Sequence, residues 1–151
     1  RRFSAPGVLE ARSRRRELAA DDDYSYQATA RAAKSLADGG VKVNTGAHGQ
    51  IQGLGVHWEM WMLEQGGMSP HQALRAGTLN GAASLGLDQD IGSLAAGKLA
   101  DLLVLDENPL TSIRSSTSIR YVMANGRLFE AATMAQLGNH AAPAPKLWWE
   151  R

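Results

Sequence analysis

The chain has 151 residues, of which 44% are hydrophobic and 21% charged, and its net charge is +1. This length suits a single domain or a piece of a larger protein, the composition permits a buried core, and the charge gives no reason to expect nucleic acid as a partner. There is no cysteine, which excludes disulfides, thiolate metal sites and a Cys nucleophile, and no apolar run reaches the roughly 18 residues that span a bilayer.

The first forty residues lead into the centre of the chain. Residues 1–17 are polar and rich in arginine, as in a solvated loop. Residues 24–38 repeat alanine and tyrosine at helical spacing, so we expect a helix there, with Asp21, Asp22 and Asp23 ahead of its first turn. Gly39-Gly40 predicts its end.

The central stretch is residues 41–50, V-K-V-N-T-G-A-H-G-Q. Its apolar start predicts a short strand over 41–45, its glycines predict a loop around His48, and a helix is expected over 53–64. An apolar stripe of Leu54, Trp58, Trp61 and Met62 is predicted for that helix. In parallel α/β folds the catalytic groups lie on loops at the carboxyl ends of strands, so this loop is the first candidate site.

The next helix has a clear start signal. Ser69 can cap it, Pro70 suits its first position and Gln72 completes a capping box. We expect one helix that runs to Gly86, with a buried stripe of Leu74, Thr78, Ala82 and Leu85.

The second half of the chain predicts antiparallel strands. Residues 99–105 form a nearly continuous apolar strand, and residues 119–124 alternate before Asn125-Gly126, the strongest short hairpin signal. Residues 127–129 complete the hairpin. A short helix is expected over 131–137, followed by a loosely held tail that contains Trp148 and Trp149.

Three strings together resemble a known family: G-G-M-S-P-H-Q-A-L-R-A-G-T-L-N-G-A-A-S-L-G-L, then I-G-S-L-A-A-G-K-L-A-D-L-L-V-L-D-E-N-P-L, then V-M-A-N-G-R. They resemble the carboxyl end of the metal-dependent amidohydrolase superfamily. The nearest likeness is to its imidazolonepropionase-like and prolidase-like branch, which includes proteins with a TolB-like β-propeller. The resemblance covers roughly residues 24–129.

The resemblance implies an α/β fold, the C-terminal part of a (β/α)8 TIM barrel with strands of a small β-sandwich. Residues 1–86 would hold the last barrel units, residues 87–130 the sandwich strands and residues 131–151 a tail. The implied activity is hydrolysis of amide, cyclic amide or peptide-like C–N bonds by water activated on a divalent metal, most readily zinc. The expected partners are a small-molecule or peptide-like substrate, the remainder of the polypeptide and a second copy in a homo-oligomer. The location would be periplasmic or secreted if the protein follows the TolB-like members, and cytoplasmic otherwise.

Two features depart from the family pattern. The chain has no His-x-His, the family's first metal-ligand motif, and Gly46 stands where the family places an aspartate at the end of strand eight. Two hypotheses follow. The chain is either the C-terminal piece of a hydrolase, not catalytically complete alone, or a non-catalytic scaffold or binding domain of the same fold. A third hypothesis, weaker than these two, takes the 151 residues as a complete small binding module.

Three residues are candidates for the site. His48 is expected to be catalytic and, as a second role, to ligate the metal, because it is the nearby group that can act as base or ligand. Gln50 is expected to hydrogen-bond substrate. His57 matches a family position just inside the helix and is a candidate for contact with substrate, although packing or hydrogen bonding is the alternative; H-W-E is not the H-E-x-x-H motif.

Four further residues are expected to have structural roles. Asp101 should accept from turn amides, Lys98 should belong to the β unit, Asn80 should make a packing hydrogen bond and His71 should be exposed.

Overall fold

The computed structural model describes residues 7, 20, 23–48, 51 and 53–147. Within this part of the chain four α-helices are followed by three strands. The helices are α1 (Tyr26–Asp38), α2 (Gly55–Gln65), α3 (Pro70–Ala76) and α4 (Leu79–Ser84). The strands are β1 (Leu102–Leu105), β2 (Ile119–Ala124) and β3 (Arg127–Glu130). Two 3₁₀ helices, Ile113–Thr117 and Gly138–His140, lie between β1 and β2 and after β3. No helix of the described residues is long and apolar enough to cross a membrane.

Helix α1 ends at the predicted glycines. The amide of Gly39 donates to Ser35 O (3.1 Å), and the amide of Gly40 donates to Ala37 O (3.1 Å). Gly40 has a φ of +85°, a conformation that residues with a Cβ rarely adopt. The chain therefore turns sharply out of α1 into residue 41.

The prediction of a strand at 41–45 is wrong. Residues 41–47 are assigned to no strand or helix. A strand needs a neighbour for its ladder, and the sheet of the described residues consists of β1, β2 and β3 alone. Side chains and a helix end supply hydrogen bonds to this segment instead.

Helix α2 starts two residues later than predicted, and its buried face differs from the expected stripe. His57, Met60 and Leu63 are buried, whereas Leu54 and Trp58 are exposed. The sequence G-V-H-W-E-M-W-M-L is apolar almost all the way round the helix, so periodicity alone could not choose a face. The buried face of α2 is determined by tertiary packing, because α2 lies against α1, α3 and the 3₁₀ helix Ile113–Thr117.

The capping box of α3 is confirmed. Ser69 Oγ accepts from the amide of Gln72 (3.2 Å), and Gln72 Oε1 accepts from the amide of Ser69 (2.9 Å). The prediction of one continuous helix to Gly86 is wrong, because the helix ends at Ala76 and a second begins at Leu79.

The interruption lies at Gly77 and Thr78. Gly77 is a weak helix former, and Thr78 leaves the helical region with φ −137° and ψ −96° while its hydroxyl donates to Leu74 O (2.7 Å). Leu85, expected to be buried at the end of a long helix, is consequently exposed.

The core lies between the helices and the 3₁₀ helix. Its buried members are mostly small or flexible apolar residues: Met60, Leu63, Met68, Ala73, Ala76 and Ile113. Alanines allow the helix backbones to approach closely, and methionines fill the irregular gaps that remain.

The sheet has the order β1-β2-β3 and is antiparallel throughout, and the predicted hairpin at Asn125-Gly126 is confirmed. Strand β1 is shorter than the predicted 99–105. The role expected of Asp101 is also confirmed, because its Oδ1 accepts from the amide of Asn125 in the hairpin turn (2.6 Å). Lys98 Nζ donates to the carbonyls of Asp88 and Ile91 and so closes the loop ahead of β1.

The predicted helix at 131–137 is wrong. These residues turn back on the sheet, and Gln136 forms isolated bridges with Phe129 and Ala142. Gln136 is buried and accepts from the side chain of Arg127 in β3, so contacts with the sheet override the local helix preference. Residues 143–147 have no regular structure, and Trp148 and Trp149 lie outside the described residues.

Candidate functional site

The segment that leads to His48 is anchored on one side by α2. The amide of Gly46 donates to Glu59 Oε2 at 2.5 Å. Glu59 lies one turn into the helix that follows the loop, and its side chain is partly buried. A carboxylate thus lies directly against the backbone two residues before His48.

The other side of the segment is anchored by α3 and α4. The amide of Thr45 donates to Ala76 O, the last carbonyl of α3 (3.1 Å). Asn80 Nδ2 donates to Val43 O (3.0 Å), which confirms the packing role expected of Asn80. Asn44 Nδ2 in turn donates to Ser84 Oγ (2.7 Å).

His48 lies at the exposed end of this anchored segment. Its φ is +52°, in the left-handed region that few non-glycine residues occupy, although histidine is among the more tolerant types. The ring is open to solvent, and no hydrogen bond joins it to another described residue. Gln50, the other loop residue expected in the site, lies outside the described residues.

An open cavity of about 440 Å³ adjoins the segment at Ala47. Aromatic and aliphatic side chains form most of its wall, with Glu59 at one point and Arg114 at another. The lining residues are Tyr26, Ala47, Ile51, Gly55, Trp58, Glu59, Trp61, Met62, Gln65 and Arg114. The Arg114 guanidinium lies over the Trp61 ring, 4.3 Å from its centroid. Such a cavity offers an apolar surface and one group of each charge, a typical pattern for a small-molecule site.

His57 lies elsewhere. Its ring is buried between α2 and the 3₁₀ helix Ile113–Thr117, where Nδ1 is 3.0 Å from Ser116 Oγ in a hydrogen bond. Trp61 Nε1 donates to the same oxygen (3.1 Å) and to Ile113 O (3.0 Å). Burial lowers the pKa of His57 below its ordinary value and favours the neutral ring. This geometry favours the packing alternative for His57 over contact with substrate.

His71 is exposed near the start of α3, as expected, and lines a second cavity of about 250 Å³ between α3 and residues 37–43. The structure therefore does not bring the four histidines together. The carboxylate of Glu59 binds the amide of Gly46, two residues before His48 in the chain.

Comparison with known proteins shows the family to which the chain belongs. The model of the amidohydrolase family matches residues 7–129. The chain belongs to the amidohydrolase family. The resemblance expected from its glycine-rich and apolar motifs is thereby confirmed.

Individual amidohydrolase relatives match shorter parts of the chain. Adenine deaminase 2 from Jannaschia sp. (strain CCS1) is 39% identical over 83 residues, 55% of this chain and 12% of the deaminase. Ochratoxinase from Aspergillus niger is 34% identical over 83 residues, 52% of this chain and 17% of that protein. The crystal structure of a Xaa-Pro dipeptidase with bound methionine in the active site has a TM-score of 0.61 at 28% identity, over 70% of this chain and 25% of that one.

These matches place the chain in the α/β, TIM-barrel class of amidohydrolase folds. The matched part spans less than a fifth of the length of either enzyme named from sequence comparison. The fold class expected from sequence is therefore confirmed at the level of the family.

Amidohydrolases are typically metal-dependent, and the donors in this chain can be tested against that requirement. A catalytic zinc site uses about three protein ligands. The described residues contain no group of three or more His, Cys, Asp or Glu side chains that could hold an ion. His48 is exposed and isolated, and one oxygen of Glu59 is occupied by the Gly46 amide. These residues do not by themselves fit a metal centre.

Sequence reasoning assigned no role to Glu59. The sequence did contain an indication of a role for Glu59, which is the acid of H-W-E. Glu59 lies one turn after Gly55, near the beginning of a helix that follows a glycine-rich loop. Helical side chains point towards the helix N-terminus, so an acid at that position reaches back to the loop. The partner, Gly46, was not evident without the fold.

Proposed function

We propose that this chain is the carboxyl-terminal portion of an amidohydrolase that hydrolyses amide, cyclic amide or peptide-like C–N bonds. On this proposal the chain is not catalytically complete alone. A divalent metal, with zinc expected, would be held by other parts of the polypeptide. The family match and the names of a deaminase and a dipeptidase among its relatives support this reaction class.

One observation carries the proposal: His48 lies exposed at the end of a segment fixed by hydrogen bonds from two sides, directly after Ala47, which lines a cavity. An imidazole can take a proton from a water near neutral pH and return it to a leaving nitrogen. In that reaction the water oxygen bonds to the carbonyl carbon, the C–N bond breaks, and the proton carried by His48 goes to the nitrogen. Gln50 remains predicted to hydrogen-bond the substrate.

We also propose that β1, β2 and β3 belong to a small β-sandwich, which other strands of the polypeptide complete. The exposed edge of the sheet supports this proposal. Strand β1 is at an edge of the sheet of the described residues. Large apolar side chains on and near β1 are exposed: Leu99, Leu103, Val104 and Leu110. Covering them with strands from the same protein would remove an aggregation hazard.

The alternative is a non-catalytic scaffold or binding domain of the same fold. It is favoured by Gly46, which stands where the family places an aspartate, and by the lack of a metal-ligand group in the described residues. The two functions differ in turnover. A scaffold would bind a C–N compound without converting it.

The test is His48→Ala in the whole protein, assayed on dipeptides, N-acyl amino acids and cyclic amides by release of amine or ammonia. We expect kcat/KM to fall about 10²-fold or more, the usual scale for loss of a general base. The melting temperature should hardly change, because the ring is exposed. His71→Ala is the matched control, an exposed histidine that does not line the cavity at Ala47. Near-normal turnover in His48→Ala would reject the assignment, and a wild-type protein that binds these compounds without hydrolysing any would favour the scaffold.

A further inference from the structure

The contacts of α2 with the loop of His48 point to a role for Glu59. Gly46 belongs to the anchored segment and lies two residues before His48. The Glu59 carboxylate accepts from the Gly46 amide at 2.5 Å. A charged acceptor makes a stronger hydrogen bond with an amide than a neutral one.

The same two parts of the chain also approach each other closely at Gly55. A Cβ built on Gly55 would lie 3.0 Å from the Cβ of Ala47, which is closer than ordinary side-chain contacts. Glycine at the first position of α2 therefore allows the helix to approach the loop closely. Glu59 lies four residues on, on the same face of α2 as Gly55.

The strand ladder that usually fixes such a segment is absent among the described residues, so individual hydrogen bonds replace it. On the side of α3 and α4 the donors and acceptors are neutral: Thr45 to Ala76, Asn80 to Val43 and Asn44 to Ser84. The contact of Glu59 with Gly46 is the charge-assisted one, and it is the nearest of the four to His48 in sequence.

We propose that Glu59 is a positioning residue that fixes Gly46 and through it the orientation of the His48 ring. This inference rests on the proposed function of His48. Glu59 acts as a hydrogen-bond acceptor, and the role needs an acceptor at this place and no exchange of a proton. Misplacement of a catalytic group by about 1 Å can lower a rate 10²-fold, so the effect on turnover should be large although Glu59 itself does not react.

The test compares Glu59→Gln with Glu59→Ala in the whole protein. Glutamine keeps an oxygen acceptor of the same length, whereas alanine removes it. We expect Glu59→Ala to lower kcat at least tenfold with a small change in KM, and Glu59→Gln to restore kcat to within about threefold of wild type. Hydrogen–deuterium exchange of the peptide that covers residues 43–48 should rise in Glu59→Ala and stay near wild type in Glu59→Gln.

Glu64→Ala is the matched control, since Glu64 is a partly buried glutamate further along α2 and outside the cavity lining. It should change neither kcat nor exchange in residues 43–48. Equal loss of kcat in Glu59→Gln and Glu59→Ala would overturn the inference, because the carboxylate would then act by its charge or its proton. Unchanged exchange in Glu59→Ala would overturn it as well.

The exchange measurement needs no substrate. If the wild-type protein turns over nothing, the proposed function fails, and exchange in the two variants still decides whether Glu59 holds the segment.

Discussion

His57 Nδ1 and Ser116 Oγ are 3.0 Å apart, and this hydrogen bond joins α2 to the 3₁₀ helix Ile113–Thr117 across 59 residues of sequence. Both residues are buried. The contact fastens the helical half of the chain to the segment between β1 and β2. A polar pair that holds two parts of a fold together is expected to govern stability more than turnover.

His57→Ala should therefore destabilise the protein by about 2–3 kcal/mol, through loss of both ring packing and the hydrogen bond. The apparent melting temperature should fall by several degrees while kcat/KM stays within a few-fold of wild type. Thermal unfolding of the whole protein measures the first and steady-state kinetics the second. A large loss of kcat/KM at unchanged melting temperature would instead place His57 in contact with substrate.

The pH dependence of stability should show His57 as well. Burial lowers its pKa in the folded protein below the ordinary value of 6.5, so the unfolded chain takes up a proton first as the pH falls. The contribution of the neutral ring to the free energy of unfolding is thus complete above pH 6.5. It decreases as the pH falls from 6.5 to the lower pKa of the folded state. Melting temperatures from pH 5 to 8 should fall more steeply on the acid side in wild type than in His57→Gln, which does not titrate. Parallel curves would show that His57 titrates alike in both states.

Gly66 marks the close approach of α1 and α2. A Cβ at this position would lie 2.4 Å from the carbonyl carbon and oxygen of Ala30 and 2.7 Å from its Cβ. Gly66→Ala should destabilise the protein by about 1–3 kcal/mol, as overpacking does, because backbone atoms cannot move aside easily.

Gly81 provides the opposite case. It lies inside α4, and no heavy atom would come within 4 Å of an added Cβ. Gly81→Ala should raise the free energy of unfolding by up to about 1 kcal/mol through helix propensity. If both alanine variants lower the melting temperature equally, the close contact of Gly66 with Ala30 is not the cause.

Asp101 should stabilise the hairpin through its bond to the Asn125 amide (2.6 Å). Asp101→Ala is expected to lower the free energy of unfolding by about 1–2 kcal/mol, and Asp101→Asn by less, since the amide oxygen can still accept. Asp106→Ala is the control, because Asp106 forms an exposed ion pair with Arg120 at 3.6 Å, a type of contact that contributes little. An effect of Asp106→Ala as large as that of Asp101→Ala would contradict this ranking.

The features that the sequence predicted correctly depend on neighbours in the chain. The capping box of Ser69 and Gln72 spans three residues, and the hairpin turn is specified by Asn125-Gly126 itself. These local preferences act before any tertiary contact forms, so they can be recognised without the fold. The resemblance to the amidohydrolase family predicted the fold class in addition to these local features.

The features that the sequence did not predict depend on distant contacts. The buried face of α2 was set by the partners on its two sides, and the segment at 41–47 formed no strand because the described residues offer it no neighbouring strand. Glu59 and Gly46 are 13 residues apart, and nothing in either residue type identifies the other as its partner. The candidate site was thus predictable as a loop with a histidine, and its supporting carboxylate was not.

The interruption between α3 and α4 has a consequence for the segment of His48. In an unbroken α-helix the carbonyl of Ala76 would accept from the amide of residue 80. Because α3 ends there, this oxygen accepts from the amide of Thr45 instead. The end of α3 thus provides the hydrogen-bond acceptor that a neighbouring strand would otherwise provide. The break at Gly77-Thr78 leaves this acceptor available to the segment that leads to His48. If α3 and α4 formed one continuous helix, the carbonyl of Ala76 would no longer be available to the amide of Thr45.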